Sequence, residues 1–116
     1  MRLVPWLACM GLAIVAQPAR PADAVGWGAL PCRLFVDAQV TPAQVGARAQ
    51  YRQWLLGYVS AYNELVPARA VPREKLLDEE TLANAILAHC NEHPKDTVAL
   101  AAAAFVKAAG SKAQRR

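Results

Sequence analysis

His89, Cys90 and His93 form the densest cluster of chemistry-bearing side chains in the sequence. Histidines four apart share a helix face and can grip a metal ion. No third ligand follows at helical spacing, however, and Pro94 follows His93 directly. No metal or other cofactor is therefore expected. The two imidazoles are expected instead to act as groups that charge as pH falls through roughly 6–7. Ser60 sits in Gly57-Tyr58-Val59-Ser60-Ala61, which is not a nucleophile elbow, and no histidine or acid is spaced to activate it. Asp78, Glu79 and Glu80 are three adjacent carboxylates. A general acid/base pair can be drawn from them, but a helix start explains all three: a capping side chain, then acids beside the positive end of the dipole. With no catalytic motif found, the expectation is a non-enzyme.

The elements around these residues read as helices. Tyr51, Trp54, Leu55, Tyr58, Val59 and Tyr62 recur at spacings of three and one, a continuous apolar stripe that predicts a helix over 48–63. Gly57 interrupts it, and its expected use is the close approach of a neighbouring helix. Trp54, Gly57, Tyr58 and Tyr62 are thus assigned to the core, and with them Pro94 and Phe105. Cys32 to Val36 predicts one or two helical turns, and Thr41-Pro42 a helix start. Glu64 to Leu77 reads as a long connector with two prolines. From Asp78 a helix carries Leu82, Ile86, Leu87 and Cys90 inward. Pro94 is expected to begin the last helix, which carries Val98, Ala101, Ala102, Phe105, Val106 and Ala109 on one face, with Gly110 as its C-terminal cap. No segment alternates as a strand would. The expected fold is all-α, a small orthogonal bundle of about four helices.

The amino terminus sets the compartment. Arg2 precedes an uncharged run from Leu3 to Ala16, and Ala22-Asp23-Ala24 closes the segment. Basic, apolar, then small-x-small is the order of a secretory signal peptide, and the run is short of the ~20 residues that span a bilayer. Residues 1–24 are expected to be removed, with cleavage after Ala24 or after Ala16. No stable membrane insertion is expected after cleavage. Trp6-Leu7-Ala8-Cys9 is a poor lipid-attachment box, so Cys9 leaves with the signal. Cys32 and Cys90 then remain as an even pair in an oxidising compartment, which reads as a disulfide.

Residues 25–110 are expected to form one helical domain and 111–116 a disordered basic tail. The chain holds 13 basic and 9 acidic side chains. Removing Arg2, Arg20 and Asp23 leaves 11 and 8, and three of the remaining positives lie in the tail. A near-neutral body lacks the dense basic face that nucleic acid demands.

With these elements placed, the chain resembles the HdeA/HdeB-like small helical proteins of the Gram-negative periplasm. The resemblance is carried by Cys32 in an early helix, then Trp54-x-x-Gly57-Tyr58-x-Ser60-x-Tyr62-Asn63. Leu82 to Cys90, then Asn91-x-x-Pro94 and an alanine-rich last helix, complete it. It covers most of the mature chain, and its motifs are structural. It implies a periplasmic bundle with one disulfide. It also implies a stress-response chaperone that exposes apolar surface in acid and holds unfolded clients. The sequence departs from that pattern in its few carboxylates and basic tail. A second class is similar in outline: periplasmic immunity proteins that bind and block a secreted antibacterial effector. Both readings make the chain an exported protein-binding domain, and a homodimer is compatible with either.

Overall fold

The computed structural model describes residues 24–113; residues 1–23, on which the expectation of a signal peptide falls, and residues 114–116 lie outside the described residues. Five α-helices follow in order: α1 (Cys32–Val40), α2 (Val45–Leu65), α3 (Glu74–Leu77), α4 (Glu79–Glu92) and α5 (Val98–Ala113). Short 3-10 turns lie at Gly26–Ala29, Pro42–Gln44 and Pro67–Arg69. Among the described residues there is no strand, only one isolated bridge between Pro31 and Thr97. The chain is all-α. The fifth helix is α3, a single turn inside the stretch read as a connector.

Each long helix buries the stripe its periodicity selects. From α1 these are Cys32, Phe35 and Ala38, from α2 Tyr51, Leu55 and Val59, and from α4 Leu82, Ile86 and Cys90. Helix α5 supplies Val98, Ala101, Ala102, Val106 and Ala109, whose small side chains let it lie close to its neighbours. Cys32 and Cys90 are bonded, with Cα atoms 5.0 Å apart, joining the first residue of α1 to the last turn of α4. Both half-cystines are buried in the main core.

Rings seal the lead-in segment onto α2. Trp27 and Phe35 meet the Tyr51 ring edge-on at 4.9 Å and 5.1 Å. Burial pushes the Tyr51 phenol above its ordinary value of 10.0. A raised folded value means that its contribution is complete below pH 10 and is lost as pH climbs through the raised value. Trp54 stacks on Tyr58 at 5.4 Å and donates its indole N–H to the Val25 carbonyl at 3.0 Å. Gly28 is buried beneath this ring, where any side chain would collide with it.

A smaller cluster of Val59, Val71, Val106 and Ala109 holds the far end, with Tyr62 and Phe105 packed against it. Asn63 decides how the chain leaves α2. Its carboxamide accepts the Val71 amide at 2.7 Å and donates to the Val71 carbonyl at 3.1 Å. The sequence leaves Asn63 open between a cap and a bridge; it is the bridge, and it ties down the connector. Asn63→Ala is expected to cost about 1–3 kcal/mol, because two half-buried backbone groups lose their partner. Asn63→Asp should also destabilise, since a carboxylate cannot donate to the Val71 carbonyl. Urea midpoints equal to wild type in both variants would remove the bridge from the account.

Three expectations are corrected. Gly57 is exposed, and a Cβ built there meets nothing within 4 Å, so no helix approaches it. Pro94 is exposed in a turn and is not a core residue; the last helix starts at Val98 instead. The Thr97 hydroxyl accepts the Leu100 amide, which sets that start four residues later than Pro94. Gly110 does not end α5, which runs through it to Ala113.

Candidate functional site

The histidine cluster is real but turned to structure. His89 Nε2 lies 2.8 Å from Asp96 Oδ2, and the His89 and His93 rings lie 4.6 Å apart. Asp96 belongs to the turn between α4 and α5, and its carbonyl accepts the Cys32 amide at 2.9 Å. The Val98 amide bonds the Leu30 carbonyl beside it at 3.0 Å. The corner therefore binds the lead-in, the disulfide and the α4–α5 turn together. Among the described residues no three His, Cys, Asp or Glu side chains are placed to hold one metal ion.

Ser60 donates its hydroxyl to the Leu56 carbonyl at 2.8 Å, one turn back along α2, and faces solvent. Asp78 is the helix cap expected of it. Its carboxylate accepts the Thr81 hydroxyl at 2.6 Å and the Glu80 amide at 3.0 Å. Those two bonds, the Thr81 one foremost, hold its carboxyl below the ordinary 3.8. A lowered folded value means that the cap contributes fully above about pH 3.8 and is lost as pH falls through the lowered value. Asp78→Asn keeps an oxygen for the Glu80 amide but cannot titrate. It is expected to flatten the acid limb of helicity against pH below about 4, and an unchanged limb would clear Asp78 of that role.

A groove opens where α1, α2 and α4 diverge, with a cavity of about 390 Å³ and an apolar floor. Phe35, Leu55 and Leu82 form its floor. Val45, Arg48, Ala49 and Arg52 form the α2 wall, and Glu80 and Ala83 the α4 wall. Val45 stands at the lip 66% exposed. Arg48 donates Nη1 to the carbonyls of Ala38 at 2.8 Å and Thr41 at 2.9 Å, which fixes the turn between α1 and α2. The first turn of α4, capped by Asp78, carries the opposite wall.

A second hollow of about 430 Å³ follows the seam of α4 and α5. Alanines 85, 88, 101, 104 and 108 wall much of it, a shallow relief with few shaped contacts.

Sequence reasoning put the aromatic stripe of α2 forward and missed the groove. Tyr51 is buried and Trp54, Tyr58 and Tyr62 half-buried, so the stripe is mostly core. The signal that could have found the groove is Arg48-x-x-x-Arg52, two cations one turn apart beside the apolar stripe. Among the described residues no helix is long and apolar enough to cross a membrane. Comparison with protein-family models, with curated proteins and with solved structures finds no match to this chain.

Proposed function

We propose that this chain is an exported, non-catalytic protein-binding domain that works in the periplasm after removal of its signal peptide. Its helices read as an orthogonal bundle of four main members, and the groove between α1, α2 and α4 is its binding surface. One observation carries the proposal: an apolar-floored groove of about 390 Å³ stays open in the folded chain, with charged residues on its walls. Apolar floors with polar rims are how proteins seat segments of other proteins.

The HdeA/HdeB-like form of the proposal makes the partners unfolded clients in acid stress. The Asp78 cap supports it. Its loss in strong acid loosens the turn of α4 that carries Glu80, Leu82 and Ala83, and so widens the groove. The second form makes the partner one secreted effector that the domain blocks. It draws on the fixed position of Arg48, since an anchored charge favours one complementary surface over many.

The test follows the oxidised mature protein from pH 7 to pH 2. Apolar-dye binding, near-UV circular dichroism and aggregation of an acid-denatured client are recorded together. Exposure of apolar surface below about pH 3 with protection of the client supports the chaperone form. A protein that stays packed and protects nothing in acid leaves the single-partner form. Val45→Asp at the groove lip should weaken binding in either form without changing the melting temperature. Undiminished binding by that variant would move the binding surface away from the groove.

A further inference from the structure

We propose that the groove selects an apolar segment of a protein partner that carries a carboxylate, and that it seats this acid against α2. The inference rests on the groove being the binding surface and adds what the surface recognises. Arg48 and Arg52 are four residues apart on α2, so they stand one turn apart on one helix face, and both line the cavity. The two Arg48 bonds go to neutral carbonyls. Such acceptors hold the guanidinium in position without cancelling its charge. The result is an oriented cation at the edge of an apolar floor, with side-chain freedom already spent before anything binds.

A guanidinium in that setting matches a carboxylate in shape as well as in charge. A basic segment would be repelled by the α2 wall, and a neutral one would desolvate the cation with no return. Glu80 stands on the α4 side of the cavity, so the field across the groove runs from a positive wall to a negative one. An acid belongs on the α2 side, and a second acid facing α4 is disfavoured. The exposed Val45 carries apolar surface out past the cavity itself. That favours a chain lying across the groove over a small molecule sunk within it.

The experiment uses the whole oxidised mature protein at pH 7 and a phage-displayed library of random dodecapeptides. Enriched sequences are expected to place Asp or Glu among apolar residues. A synthetic peptide of the leading sequence should shift the amide resonances of Ala49, Arg52 and Ala83. Its Glu→Gln or Asp→Asn form should bind about tenfold more weakly. Binding should fade as pH drops through about 4, where the peptide's own acid protonates, which ties this recognition to the single-partner form of the proposal and not to the acid-chaperone form. Ala49 is exposed on the α2 wall, so Ala49→Glu should cut binding while leaving the melting curve in place. Enriched peptides without acids that still map to the groove would overturn the charge selection and leave the groove as binding surface. Peptides that map elsewhere, or no enrichment at all, would overturn both.

Discussion

Replacing Cys32 and Cys90 together by alanine should lower the melting temperature by on the order of 20 °C. The bond spans 58 residues of sequence, and closing a loop of that length removes about 4 kcal/mol of chain entropy from the unfolded state. A domain of this size has total stability on the order of 5–10 kcal/mol, so the loss is a large share of the whole. At about 4–8 °C per kcal/mol the shift is large enough to leave the variant partly unfolded at 37 °C. The bond also pins α1, a helix of nine residues, to α4. A helix that short is marginal without tertiary support. Wild type under reductant and the double variant should melt at similar temperatures. A shift of only a few degrees in both would show that core packing holds α1 without the bond.

Two glycine substitutions should move stability in opposite directions. Gly110→Ala is expected to destabilise by about 1–3 kcal/mol. A Cβ there collides with the Arg69 carbonyl oxygen and falls 3.1 Å from its carbon. Those are backbone atoms of the 67–69 turn, so relief requires α5 or the turn to shift. Gly57→Ala, in the exposed middle of α2, meets nothing within 4 Å and is expected to stabilise by up to about 1 kcal/mol. Urea denaturation of both variants at matched slope reads the difference directly. A stabilising Gly110→Ala would mean that α5 and the 67–69 turn stand further apart than the structure places them.

Much of the helical frame was legible in local sequence. The stripe from Tyr51 to Tyr62 marked α2, Asp78 marked the start of α4, and Leu82, Ile86 and Cys90 marked its inner face. The last helix was legible as a face but not as a start. Pro94 suits a first turn, yet the hydroxyl of Thr97 offers the cap, and the main-chain bonds from Asp96 and Val98 to the lead-in hold the intervening residues as a turn. Asn63 could be read only as a cap or a bridge, because its partner Val71 lies beyond Pro67 and the 67–69 turn, an irregularity that no periodicity describes. Of the groove only the Arg48 and Arg52 pair leaves a trace in local sequence, because its floor draws Phe35, Leu55 and Leu82 from three helices.

The sequence by itself determined the helical class, the inward faces of the long helices and the cysteine pair. Each of these follows from a 3.6-residue period or from a count, and both are properties of the chain alone. Tertiary structure decided which glycine is a contact and which is merely exposed: Gly110, expected as a cap, lies against the 67–69 turn, and Gly57, expected as a contact, faces open space. It also decided that α1, α2 and α4 part to leave a groove rather than close over it. Both outcomes depend on where helices far apart in sequence cross. Crossing is settled by how whole side-chain surfaces fit against one another, and no local window of residues contains that fit.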